Sequence, residues 1–285
     1  MRKTLNFSLI LLFVLSIITA CGSNEEDAEN HKESDEVENE VENEENAEDE
    51  NEQEDENEQE DEEKDDVVEE EEEVAEPLYT INDIWQIVPI DDANAEVALI
   101  TIDDAPDKHA LEMAHTLKDL DAPAIFFVNG HFLETEEEKE TLKEIHDLGF
   151  MIGNHTYSHA DLQSISEDEQ YEEIVQVNDM VEEVIGERPT FFRAPFGQNT
   201  DYSKSLAQEE GMVLMNWTYG YDWNAEYQTQ EAITEIMLNA PELNDGANLL
   251  MHDREWTNAA LEDIVTGLRD QGYELVDPKT IETIE

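Results

Sequence analysis

Between residues 97 and 276, short apolar runs alternate with stretches of helical period, and this alternation limits the fold more than any other feature of the chain. Seven runs read as strands: residues 97–102, 124–128, 150–152, 190–192, 212–216, 248–251 and 273–276. Between them, Ile174, Val177, Val181 and Val184 recur at helical spacing, as do Leu261, Ile264, Val265 and Leu268. Gly149, Gly186, Gly211 and Gly272 stand where helices should stop, each shortly before a strand. Strict β–α alternation predicts an α/β fold in which helices cover a parallel sheet. Seven strands favour a barrel-like closure, with an open doubly wound sheet as the alternative.

Residues 77–285 are enough for one domain with a good core. What precedes them is of another kind. Arg2 and Lys3 lead an apolar stretch over residues 5–18, too short for a membrane span and typical of a leader over residues 1–20. The leader ends at Ile18-Thr19-Ala20-Cys21-Gly22, which resembles a bacterial lipoprotein cleavage box. Cys21 is then the lipidated residue, and it holds the protein on the outer side of a Gram-positive cell membrane. The alternative is an ordinary leader with an incidental cysteine. As the only cysteine, Cys21 leaves no intrachain disulfide to form. Residues 21–76 are almost entirely Glu, Asp, Asn and Gln after that cysteine, a composition that buries no core and predicts a disordered tether. A flexible chain of that length spans on the order of 40 Å. A low-complexity tract with no spacing role is the other reading.

The net charge is −63, of which residues 22–76 carry −30 and residues 77–285 carry −35. A chain this acidic excludes nucleic acid and bare anionic membrane surfaces as partners. A monomer is expected.

The polar residues that could do chemistry fall at one end of the expected strands. Asp103 and Asp104 follow the first strand, His155 and His159 the third, and Arg193 ends the fourth. Asp222 and Trp223 come after the fifth, and His252 and Asp253 end the sixth. Parallel α/β folds build their sites at the carboxyl ends of strands. Two adjacent carboxylates there are costly to bury unless a metal or a cation pairs them. His155 and His159 could share that metal, and Arg193 could be the cation. Asp is also common in a plain strand-ending turn. Together the Asp pair and the two imidazoles offer N, N and O ligands with positions left for water, the ligand set of a catalytic divalent site. Zinc is the first expectation, with cobalt, nickel or manganese as alternatives. His109, His115, His131 and His146 lie in or beside helical stretches and carry no functional reading.

Five short motifs then carry a resemblance. Thr101-Ile102-Asp103-Asp104-Ala105-Pro106 resembles the Thr-Phe-Asp-Asp-Gly-Pro motif of the NodB-homology polysaccharide deacetylases, carbohydrate esterase family 4. His155-Thr156-Tyr157-Ser158-His159 matches the second motif of that family. Arg193-Ala194-Pro195-Phe196-Gly197 resembles the third. Asp222-Trp223 resembles the end of the fourth, Asp-x-x-Asp-Trp, and Leu249 to Asp253 resembles the last. The resemblance covers roughly residues 95–280 and implies a distorted (β/α) barrel. Ala105 stands where the family usually has Gly, which matters only where φ must be positive. Tyr219 stands where the fourth motif usually opens with Asp.

The resemblance also implies roles. Asp104, His155 and His159 hold the metal, and Asp103 is the base that takes a proton from water, paired and oriented by Arg193. A backbone N–H near Phe196 helps to hold the oxyanion. His252 protonates the leaving amine, with Asp222 favouring its protonated form. Trp217, Tyr219, Tyr221 and Trp223 are candidates for an aromatic wall against a sugar ring, or for core. The implied activity is removal of acetyl groups from the amino sugars of an extracellular polysaccharide, peptidoglycan first. Two rivals stand beside it: an esterase acting on O-acetylated xylan at the same site, and a non-catalytic glycan-binding surface lipoprotein.

Overall fold

A computed structural model describes residues 76–284. The leader, Cys21 and the acidic tract as far as residue 75 lie outside the described residues. An antiparallel hairpin comes first, β1 (Tyr79–Ile81) with β2 (Ile87–Pro89). It is absent from the strands expected from sequence, because three residues are too few to display a period.

The alternating part follows as β3 (Val97–Ala105), α1 (Ala110–Asp119), β4 (Ala124–Val128), α2 (Glu136–Asp147), β5 (Met151–Asn154) and α3 (Glu167–Ile185). It continues as β6 (Phe191–Phe192), α4 (Asp201–Glu209), β7 (Val213–Leu214), α5 (Gln230–Asn239), β8 (Ala247–His252), α6 (Glu255–Asp270) and β9 (Glu274–Leu275). The strands lie in the order β7-β6-β5-β4-β3-β8, all parallel, with β9 beside the start of β3.

This sheet curls into a half-barrel. The segment after β7 carries the curl round to β8: Thr218 N donates to Asn248 O at 2.9 Å and Leu250 N to Tyr219 O at 2.9 Å. The expected distorted (β/α) barrel is therefore what forms. The fifth expected strand, 212–216, is regular only at Val213–Leu214. Beyond it, the carbonyls of Met215 and Asn216 accept from side chains, Arg193 for both and Asn248 as well for Asn216, rather than from the backbone of a neighbouring strand.

Side-chain parity explains the layers. Along a strand, alternate residues face opposite sides. Ala98, Ile100 and Ile102 face the helices and pack with Met113, Leu117, Leu261 and Ile264. Val97 and Leu99 face the barrel interior with Ile125, Phe127, Phe191 and Met215, and the hairpin's Tyr79 and Ile87 join that cluster. Thr101 and Asp103 continue the inward parity above Leu99.

The helices are specified locally as well. In α3, Ser166 and Glu169 form a reciprocal capping box, and Gly186 ends the helix at φ 85°. The face bearing Ile174, Val177 and Val181 is buried.

Candidate active site

The site begins with an irregularity in β3. Ile102 is opposite Phe126 and Ala105 opposite Val128, so three steps on β3 match two on β4. This is a β-bulge, and Asp104 within it has φ 59°. A regular strand would turn Asp104 to the helix side, opposite to Asp103. The bulge re-aims it, and both carboxylates reach the mouth of the barrel. The sequence reading ends the strand at residue 102 and so misses this device.

Asp103 is buried. Its Oδ1 accepts from Arg193 Nη1 at 2.6 Å, and its Oδ2 lies 3.5 Å from His155 Nε2. Arg193 is fully buried, 0% exposed, and every donor it uses has a partner. Nη1 also donates to Thr101 Oγ1 at 2.8 Å, Nη2 to Asn216 O at 2.9 Å, and Nε to Met215 O at 3.3 Å. The guanidinium lies over the Phe127 ring, 4.2 Å from its centroid. Burial pulls the Arg193 pKa down and the Asp103 carboxylate opposes that.

His155 Nδ1 meets the carbonyl of Arg193 at 2.7 Å. A carbonyl only accepts, so Nδ1 carries the proton and Nε2 keeps its lone pair. That Nε2 is 3.8 Å from Asp104 Oδ1, and His159 Nε2 is 3.6 Å from the same oxygen. Ligand atoms of Asp104, His155 and His159 all lie within 4.8 Å of one another. Asp104 Oδ1 is enclosed and has no hydrogen-bond partner among the described residues. A buried carboxylate oxygen facing two imidazole nitrogens, with no donor of its own, fits a divalent cation. Burial pushes the Asp104 carboxyl up, but His155, His252, His159 and Arg254 outweigh it and hold it below the usual range. Burial, followed by His155, lowers the pKa of His159 against the pull of Asp104 and Asp103.

The loop that presents the imidazoles is held by buried amides. Asn129 Nδ2 donates to the carbonyls of His155 at 2.6 Å and Thr156 at 3.1 Å. Asn154 Oδ1 accepts from Thr156 N at 2.8 Å, while its Nδ2 is tied to α3 through Ile174 O and Asn178 Oδ1. Thr156 and His159 take positive φ, at 67° and 59°. These contacts lock a conformation that non-glycine residues otherwise avoid.

On the far side, Asp222 is fully buried and holds His252 twice. Its Oδ1 meets His252 Nδ1 at 2.7 Å, and its Oδ2 accepts from His252 N at 2.6 Å and from Thr257 Oγ1 at 2.8 Å. Burial alone would lower the His252 pKa. Asp222, with Asp103 and Asp104 behind it, raises it above the ordinary histidine value.

Aromatic rings rim the opening. Phe196 is 61% exposed at φ 58°, with its ring 4.7 Å from His159, and Trp223 is 48% exposed with its ring 5.6 Å from His252. Trp217 stands 6.5 Å from Trp223. The other two aromatics of the expected wall are elsewhere. Tyr219 is buried in the core and donates to Met237 O at 2.7 Å. Tyr221 turns to the same side, with its hydroxyl on Glu242 Oε2 at 3.1 Å and its ring edge-on to Tyr227. Strand-like parity after β7 sends residues 219 and 221 to the helix side. Ala105 takes no positive φ, so its methyl group costs nothing there.

Two residues of this neighbourhood have functions that sequence reasoning did not give them. Asp253 accepts from the N–H groups of Asp107, Lys108, His109 and Ala110 at 2.7–3.0 Å, which pins the loop after β3 to the end of β8. Arg254 donates to Asp104 Oδ2 at 2.6 Å. A signal for the second was available, since Arg254 is one of few basic residues in an acidic chain and sits two positions from His252.

Known proteins share this arrangement of sequence and fold. The sequence profile of the family described as polysaccharide deacetylase matches residues 91–241. The peptidoglycan-N-acetylmuramic acid deacetylase PdaC of Bacillus subtilis is 31% identical over 197 residues, which are 68% of this chain and 40% of that protein. The peptidoglycan-N-acetylglucosamine deacetylase PgdA of Listeria monocytogenes is 32% identical over 192 residues, 66% of this chain and 39% of the other. The chain thus spans about two fifths of the length of these two relatives. Among solved structures, a CE4 family pseudoenzyme of Bacillus anthracis superposes with a TM-score of 0.58 at 28% identity, covering 64% of this chain and 63% of that one.

Proposed function

Because the chain belongs to the polysaccharide deacetylase family, we propose that it is an active, metal-dependent hydrolase that removes acetyl groups from the N-acetylated amino sugars of peptidoglycan. One observation carries the reading. The Asp103–Arg193 and Asp222–His252 pairs stand on either side of the Asp104, His155 and His159 cluster, so a base, a ligand set and an acid share one opening.

Asp104, His155 and His159 would hold a divalent cation, zinc first, whose Lewis acidity acts on a water and on the acyl oxygen. Arg193 occupies Oδ1 of Asp103, which leaves Oδ2 to take the proton from the attacking water. The Asp222 carboxylate keeps the His252 proton on Nδ1 and favours the doubly protonated ring, so Nε2 can donate to the leaving amine. The amine leaves as a neutral group and acetate remains. The backbone N–H near Phe196 is the donor for the oxygen that becomes negative, and the Phe196 and Trp223 rings are the contacts for the sugar. Tyr221 has no part in this reading.

The rest of the chain fits an extracellular setting. Lipidated Cys21 would anchor the protein, and residues 21–76 would hold a catalytic domain of residues 77–285 away from the membrane. The PdaC and PgdA relatives are named for peptidoglycan, which is the polymer such an anchor would reach.

The test is acetate release from peptidoglycan, chitin oligomers and acetylxylan, with and without chelator. The proposal expects chelator-sensitive release from peptidoglycan. Release from acetylxylan alone would make the protein an esterase. A non-catalytic reading draws support from the pseudoenzyme relative, and binding of glycan without any acetate release would establish it.

A further inference from the structure

Arg254 opens α6 as its N-cap residue and belongs to no motif described above. Its Nη2 donates to Asp104 Oδ2 at 2.6 Å and its Nη1 to the carbonyl of Asp253 at 2.8 Å. Asp253 is itself fixed by four backbone N–H groups of the loop following Asp104. The guanidinium is therefore held in register with the carboxylate it touches. Of the two Asp104 oxygens, Oδ2 is held by a cation, while Oδ1 is enclosed, without a donor, and faces His155 and His159.

The geometry points to Arg254 as a positioning residue that limits Asp104 to one ligand oxygen and sets the cation preference of the site. This rests on the reading of Asp104, His155 and His159 as the metal ligands. Two consequences follow from elementary coordination chemistry. First, a carboxylate with one oxygen engaged by a guanidinium offers only the other. Calcium takes six to eight oxygens and often uses both oxygens of a carboxylate, whereas zinc is satisfied by four ligands. Second, a fixed positive charge on the same carboxylate weakens the binding of any cation. Each carboxylate of the pair thus has its own guanidinium, Arg193 on Asp103 and Arg254 on Asp104. The first holds a base in place. The second thins the negative charge that would otherwise make the opening, in a chain of net charge −63, a sink for any divalent ion.

The experiment titrates Zn²⁺ and Ca²⁺ into the full chain as wild type, Arg254→Met, Arg254→Lys and Asp104→Ala. Binding is followed by competition with a metallochromic indicator. Asp104→Ala supplies the background from the many other carboxylates. Above that background, Arg254→Met should bind Zn²⁺ more tightly by about tenfold, and its gain for Ca²⁺ should be larger still. Arg254→Lys keeps the charge and should stay within about threefold of wild type for Zn²⁺. Melting of the metal-free proteins shows that each variant is folded, and should Arg254→Met fail there, a Zn²⁺ affinity of Arg254→Lys far from wild type overturns the proposal. If Arg254→Met binds Zn²⁺ no more tightly, or if the ratio of the two ions is unchanged, Arg254 has no such role. If Asp104→Ala binds Zn²⁺ as wild type does, the metal site itself is wrong and the inference falls with it.

Discussion

In the proposed mechanism His252 is the acid, and its surroundings suit that role. It is partly buried, which alone would favour the neutral ring, and Asp222 reverses that through a 2.7 Å hydrogen bond backed by Asp103 and Asp104. As the proposed acid it must be protonated to act, so its raised pKa should set the alkaline limb of the pH profile of kcat/KM. Asp222→Asn removes the main opposing charge. The pKa of His252 then falls, and the alkaline limb should move to lower pH while the maximal rate drops on the order of 10²-fold. A limb that stays in place would mean that another group donates the proton. Asp104 is proposed as a metal ligand, and Asp104→Asn should then lose bound metal, read by elemental analysis, because a neutral amide is a poorer ligand than a carboxylate. The identities of these residues were legible in the sequence through their motif spacing. The pairing of Arg193 with Asp103 was legible too, but its further partners were not, because two of them are the backbone carbonyls of Met215 and Asn216, which no residue type announces.

Among the elements, β3 decides most of the geometry. Its inward parity places Thr101 and Asp103, and its bulge brings Asp104 to the same opening. The strand was legible as an apolar run. The bulge was not, since an extra residue in a ladder leaves no mark on hydrophobic period when polar residues occupy it. The β1–β2 hairpin escaped for want of length, and β7 proved shorter than its apolar run because Arg193 takes over the carbonyls that follow it. The tie between the β3 loop and β8 is a single side chain, Asp253, with four N–H groups on it. Asp253→Ala leaves those buried or half-buried donors without an acceptor. Urea unfolding should show a loss of roughly 2–4 kcal/mol. A loss below about 1 kcal/mol would show that water replaces the carboxylate at no great cost.

For the whole molecule, charge is the dominant fact. Residues 77–285 carry −35, more than solubility requires. Self-repulsion at low ionic strength should lower the melting temperature, and salt should raise it by screening. A flat or falling curve between low and molar salt would remove charge repulsion as a factor in stability. The proposed anchor is tested separately: Cys21→Ser should move the protein from the membrane fraction to the medium, and a variant that stays on the membrane after leader cleavage would rule out lipid at Cys21. The central claim is that this barrel mouth is a working catalyst built on Asp103. It is tested most directly by measuring bound metal and acetate release from peptidoglycan together, for wild type and Asp103→Asn. The account predicts a full complement of metal in both and a loss of acetate release of 10²-fold or more in the variant. Equal rates from the two proteins, with metal retained in both, would contradict it.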